Sequence, residues 1–213
     1  MRLLTLPLLL AAYGFGQTTT AIDNEHVRVL VAHQKPHAKT PLHEHQFNRV
    51  MVYLQSFSES FTYPNKPPAT MNFRAGEVEW SPAGGMHTAE IVSPAPVTIV
   101  EIELKKPGSK LSATGPLDPV VVDPKHYKVE FENDQVRVLR VRTGPHEATP
   151  VHQHALNRVV TYLTGQDFRV TAADGKVDHA QRKAGEVGWS GPATHKEENL
   201  SDHLFEVVVV ELK

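Results

Sequence analysis

One stretch occurs twice in this chain, and the repetition limits what the chain can fold into. Pro41-Leu42-His43-Glu44-His45-Gln46-Phe47-Asn48-Arg49-Val50 returns 109 residues later as Pro150-Val151-His152-Gln153-His154-Ala155-Leu156-Asn157-Arg158-Val159. Two copies are too few for a solenoid and call for two similar units. In each copy two histidines stand one residue apart. On a strand, where side chains alternate faces, such a pair points the same way. Two imidazoles side by side either ligate a metal or sit on a wet face, and the duplication favours the metal.

The correspondence runs well beyond these stretches. Over residues 18–81 the shift superimposes the chain on itself without a gap: Val27-Arg28-Val29-Leu30 answers Val136-Arg137-Val138-Leu139, and Gly76-Glu77-Val78 answers Gly185-Glu186-Val187. One deletion then makes the shift 108, which pairs His87 with His195 and Glu90 with Glu198. Short Val-, Ile-, Thr- and Tyr-rich runs alternate with 16 prolines and 13 glycines over 213 residues, without a long amphipathic helical pattern. The second copy carries Asp174-Gly175 between two such runs, a tight-hairpin signal. The sequence therefore predicts an all-β protein of two units, 17–106 and 126–213, with a Pro-, Gly-, Ser- and Asp-rich linker over 107–125. Roughly eight strands per unit would suit a jelly roll.

Residues 1–16 read differently. Arg2 precedes an apolar run over residues 3–12, followed by small residues at Gly14 and Gly16. That is the pattern of a secretory signal peptide cleaved near Gly16, and the run is too short to span a bilayer. The expected destination is the periplasm or beyond, with no membrane attachment after cleavage. Charge is balanced, 22 basic residues against 24 acidic, so no excess is available to capture nucleic acid. Thirteen histidines and no cysteine mean that any metal site uses nitrogen and oxygen ligands and that no disulfide forms.

Two motifs make the chain similar to a known family. His43-x-His45 and His152-x-His154 fit the first motif of the cupin superfamily, Gly-x5-His-x-His-x3,4-Glu-x6-Gly. Gly76, Pro82, Gly84 and His87 fit its second motif, Gly-x5-Pro-x-Gly-x2-His-x3-Asn, with Ile91 in the Asn place. Gly185, His195 and Asn199 fit it in the second unit, where the Pro-x-Gly segment reads Gly191-Pro192-Ala193. The whole resembles a bicupin. That resemblance implies two tandem jelly-roll barrels, with His43, His45 and His87 converging in one and His152, His154 and His195 in the other. The implied cofactor is a divalent transition metal: iron, manganese, nickel, zinc or copper. Both units depart from the first motif. The Glu ligand is missing, its place held by Arg49 and Arg158 or by Val50 and Val159, and His37 and His146 stand at the opening Gly.

Three neutral imidazoles leave the ion its full 2+ charge and open positions, which favours a small anionic ligand. If the strand stays regular past the His pair, Phe47, Arg49, Met51 and Tyr53 share its face, as do Leu156, Arg158, Val160 and Tyr162. A bulge would instead turn Asn48 and Asn157 inward. On the first register Arg49, Tyr53, Arg158 and Tyr162 are the candidates for catalytic work. An Arg about 6 Å from a dication would be repelled by about 5 kcal/mol at an effective dielectric of about 20. Each Arg therefore pairs with a carboxylate such as Glu103 or Glu211, clamps an anionic substrate at the rim, or displaces the ion; the clamp is the expectation.

Other repeated residues carry less chemistry. Glu77 and Glu186 read as exposed strand-start carboxylates, and Glu90 and Glu198 fall on the face opposite the histidines. Trp80 and Trp189 read as core or interface packing, and His37 and His146 as rim groups. His26, His33, His126, His179 and His203 have no repeat partner and are expected to be solvated. The functional expectation is an exported metal-dependent oxidoreductase of dioxygenase type, acting on a small anionic organic molecule. The alternatives are a non-catalytic module for a small molecule or metal, and a metal-dependent lyase or isomerase. A homodimer is compatible with each.

Overall fold

The structure, a computed structural model, describes residues 16–109, 111 and 113–213, so the expected signal peptide lies outside it apart from Gly16. The first unit contributes β1 (Gln17–Asp23), β2 (Val27–Gln34), β3 (His43–His45), β4 (Arg49–Tyr53), β5 (Phe57–Thr62), β6 (Ala69–Phe73), β7 (Val78–Ser81), β8 (Gly84–Ile91) and β9 (Val97–Leu104). A four-residue helix, α1 (Pro119–Val122), follows. The second unit repeats the plan with β10 (Tyr127–Glu132), β11 (Val136–Thr143), β12 (His152–His154), β13 (Arg158–Tyr162), β14 (Gln166–Ala172), β15 (Val177–Arg182), β16 (Val187–Ser190), β17 (Ala193–Asn199) and β18 (Phe205–Leu212). In each barrel a five-stranded sheet, β1-β2-β9-β4-β7 or β10-β11-β18-β13-β16, faces a four-stranded one, β3-β8-β5-β6 or β12-β17-β14-β15. The Asp174-Gly175 turn joins β14 to β15, with Gly175 at a φ of 85°.

Strand alternation builds more than one core. On β9, Val97 and Ile99 turn into the first barrel beside Tyr53, Phe57 and Phe73. Val100, Ile102 and Leu104 turn the other way and meet Val136, Val138, Val159, Val208 and Val210 of the second unit. The two five-stranded sheets thus pack back to back, which explains why β9 and β18 bury side chains on both of their faces. Trp80 and Trp189 flank this shared core, as expected. His26, expected to be solvated, stacks on Trp189 across the interface with ring centroids 5.6 Å apart.

Backbone geometry explains the motif's lost glycines. His37 and His146 adopt left-handed φ values of 61° and 57°, the conformation that glycine takes without strain. The segment 107–125 connects the barrels, and from Ala113 onward several of its residues are buried. Asp118 caps α1 by accepting from the Val120 N–H, and Pro119 supplies the pre-set φ of the first helical turn. His126 is buried, against the expectation of a solvated side chain, with Nδ1 2.7 Å from Asp123 and Nε2 3.0 Å from Glu147. Lys125 and His126 hold the Glu147 carboxyl down to about 2.

Candidate metal centres

Each His-x-His pair lies on a three-residue strand beside a longer one, and register supplies the third histidine. His43 stands opposite His87 on β8, and His152 opposite His195 on β17. The ring centroids are 4.6–5.4 Å apart in the first cluster and 4.6–5.6 Å apart in the second. In both, one nitrogen from each of the three rings lies within 4.8 Å of the other two. His43 Nε2 and His45 Nε2 are 3.1 Å apart. Nitrogens bound about 2.1 Å from one ion, at or a little beyond a right angle, are separated by about that distance.

Carbonyl oxygens set the tautomers. His43 Nδ1 donates to Pro41 O at 2.8 Å, His152 Nδ1 to Pro150 O at 3.0 Å and His87 Nδ1 to Gly85 O at 2.5 Å. Each leaves Nε2 as the lone-pair nitrogen, the form that ligates. Burial, with the Arg49 guanidinium next in size, pushes His45 down to about 3, so its ring stays neutral. Burial likewise lowers His87, His152 and His154. The donor set and spacing of both clusters fit a divalent ion.

The chain bends at residues 46–48, between β3 and β4, so simple strand parity holds only in part. Arg49, Met51 and Tyr53 line the first cavity, and Arg158, Val160 and Tyr162 the second, as the regular register predicts. Leu156 leaves the His face and lines an outer cleft beside His26 and Leu212. Asn48 is not turned inward as a bulge would require. Its Nδ2 donates to Gln135 Oε1 of the second unit at 2.5 Å, and its Oδ1 accepts from Ala83 N at 2.8 Å.

The two arginines differ. Arg49 pairs with a carboxylate of its own barrel, but that carboxylate is Glu101, at 2.8 Å; Glu103 is engaged by Arg28. Arg49 also donates to Ser81 Oγ at 2.8 Å and to His45 Nε2 at 2.9 Å. Arg158, only 7 % exposed, donates to Gly191 O at 2.5 Å and forms no ion pair with a described carboxylate.

A search for repeated residues misses the groups that distinguish the barrels. The first cavity, about 230 Å³, contains Glu59, Glu79 and Glu101, whose counterparts in the second unit are Phe168, Gly188 and Val209. The second, about 470 Å³, contains Arg182 and Glu197, whose counterparts are Phe73 and Ala89. Parity was the available signal: Glu101 is two residues from core Ile99, and Glu197 two from His195. Glu79 accepts from the Tyr53 hydroxyl at 3.1 Å. Burial, reinforced by Glu101, pushes the Glu59 carboxyl up to about 7. In the second cavity Glu197 is 3.4 Å from His195 Nε2, and the Tyr127 hydroxyl donates to His152 Nε2 at 3.0 Å. Exposed Arg182 sits 5.9 Å over the Tyr162 ring. A larger cleft of about 940 Å³ lies away from both clusters, beside Arg74 and Arg140, and Arg140 is already paired with Glu130 and Glu206.

No protein-family model matches the sequence, and no curated protein matches it. Solved structures do match. AerE from Microcystis aeruginosa is similar over 95% of this chain and 100% of its own, at a TM-score of 0.65 and 12% identity. The oxalate decarboxylase of Bacillus subtilis, which has Mn(II) centres, is similar over 92% of this chain and 72% of its own, at a TM-score of 0.62 and 13% identity. A cupin 2 conserved barrel domain protein from Leptotrichia buccalis covers 93% and 89%, at a TM-score of 0.57 and 14% identity.

Proposed function

The chain has the bicupin fold of the cupin superfamily, and from that premise we propose a metal-dependent oxidoreductase of dioxygenase type that takes a small organic carboxylate in its C-terminal barrel. One observation carries this reading: Arg158 is a buried guanidinium that makes no ion pair within 4.0 Å with a described carboxylate, in the cavity that holds the second three-His cluster. Glu197 and Glu211 act on this cation only through space, and an ion in the cluster would add two more positive charges. An anionic ligand offsets both. Arg182 supplies a second cation, and a guanidinium can hold a carboxylate through two parallel hydrogen bonds. Val160, Val170 and Phe168 give the same cavity an apolar wall for a carbon skeleton.

A divalent ion held by three imidazoles would supply Lewis acidity and open positions for a substrate oxygen and dioxygen. The chain's own residues do the rest. Arg158 orients the carboxylate, and Glu197 is placed to take or return a proton at the ligand. The N-terminal barrel is the poorer anion site, because Glu101 already neutralises Arg49 there. A metal-dependent lyase is the second reading. Glu197 favours it, and so does the likeness to a decarboxylase named for a small dicarboxylate. Calorimetry with malonate and with oxalate on the metal-loaded protein tests the class, and an oxygen electrode separates the two readings. Arg158→Met should weaken carboxylate binding by about 10–100-fold with metal content unchanged. Carboxylate affinity that survives the substitution would sink the proposal.

We propose export as well. β1 begins at Gln17, so cleavage after Gly16 would leave every described strand whole. Mass spectrometry of the protein from its native cell should find an N-terminus near Gln17, and an intact Met1 would remove the case.

A further inference from the structure

The two clusters have the same three ligands but different backing, and the difference starts in the segment between the barrels. Arg28 and Glu103 of the first unit correspond to Arg137 and Glu211 of the second. In the first barrel the two pair with each other through Arg28 Nε. Glu103 makes no hydrogen bond to His45, no described residue accepts from His45 Nδ1, and His45 Nε2 faces Arg49. In the second barrel a third group intervenes. Asp118, the N-cap of α1, grips Arg137 through both terminal nitrogens, at 2.6 and 3.0 Å. Arg137 then stays 3.6 Å from Glu211 Oε2, and Glu211 Oε1 accepts from His154 Nδ1 at 2.7 Å. None of these four side chains is more than 4 % exposed. The same segment fastens the strand itself, since the Gln153 N–H, between the two histidines, donates to Leu117 O at 2.7 Å.

We propose that the inter-barrel segment arms the C-terminal metal site. By drawing Arg137 away from Glu211, Asp118 leaves Glu211 as the acceptor that fixes His154 with Nε2 toward the ion. The C-terminal site therefore binds a divalent metal more tightly than the N-terminal site. Asp118, Arg137 and Glu211 are positioning residues that act through His154. A carboxylate on the far nitrogen fixes ring rotation and tautomer and raises ligand basicity, an effect worth about 10–100-fold in affinity. His45 lacks that backing, and its ligating nitrogen must shed a hydrogen bond from a cation, Arg49, whereas in the second cluster His152 Nε2 sheds one from the neutral Tyr127 hydroxyl. The inference rests on the metal reading of the clusters and is independent of the substrate.

The test is titration of the metal-free full-length protein with Co²⁺, followed by calorimetry and by visible absorption. Two binding steps at least about tenfold apart are expected. His154→Ala should remove the tighter step and His45→Ala the weaker. Asp118→Asn and Glu211→Gln should each loosen the tight step by about 10–100-fold and alter its absorption spectrum. Any general loosening of the fold is separated by a rescue. Asp118→Asn combined with Arg137→Met leaves no cation to compete for Glu211, so tight binding returns. Glu211→Gln combined with Arg137→Met gives no recovery. Two equal sites, a tight step that survives His154→Ala, or a failed rescue would each overturn the inference while the metal reading stands. Absence of Co²⁺ binding at both sites would overturn the two together.

Discussion

Glu59 offers a sharp test of the first cavity. The side chain is 9 % exposed and makes no hydrogen bond or ion pair with a described residue. It faces Glu101 from β9, Glu79 from β7, Arg49 and Tyr53 from β4 and His87 from β8. Burial and the Glu101 charge raise its carboxyl from 4.5 to about 7, against a smaller lowering by Arg49. Between those two values the native state holds a proton that the unfolded chain has lost. Stability therefore falls as pH rises through that window and levels off above it, with a total loss of about 3 kcal/mol. Glu59→Gln is neutral throughout. Urea unfolding of metal-free protein, followed by Trp80 and Trp189 fluorescence, should give near-equal stabilities at pH 4.5. At pH 8.5 the variant should be more stable by about 3 kcal/mol. Loading the first cluster with metal should shrink the gain, because a nearby dication favours the ionised carboxylate. A variant whose advantage does not grow with pH would show that Glu59 is ionised and solvated in the native protein.

Three further outcomes follow from the packing. Arg49→Met leaves the partly exposed Glu101 beside Glu59 without its cation, so stability at neutral pH should fall by about 1–3 kcal/mol in metal-free protein. It should also tighten metal binding in the first barrel, since the donor on His45 Nε2 is gone; equilibrium dialysis reads this. Ile102→Ala, in the core shared by the two barrels, should cost about 2–5 kcal/mol and lower the urea midpoint of both tryptophans together. Separate midpoints would mean that the barrels unfold independently. His37→Gly should raise stability by about 0.5 kcal/mol in the same assay, because relief of the left-handed strain slightly outweighs glycine's extra chain entropy.

The sequence alone determined the architecture and the histidines that come together in each barrel. An internal repeat broken by one deletion, period-two alternation and His-x-His spacing can be read from the chain itself, and they place two imidazoles on one face whatever surrounds them. Arg49, Met51 and Tyr53, with Arg158, Val160 and Tyr162, were legible by the same alternation. Leu156 and Asn48 were not, because the chain bends between the His pair and the next strand. Only the tertiary structure decided which charges meet. Arg49 finds Glu101 52 residues away rather than Glu103, His126 is buried between Asp123 and Glu147, and Arg137 donates to Asp118 while lying 3.6 Å from Glu211. A long charged side chain reaches several neighbours on adjacent strands, and its choice among them depends on the competing charges and the water that folding leaves within reach. That competition makes the two barrels chemically unlike, although their three histidines are copies.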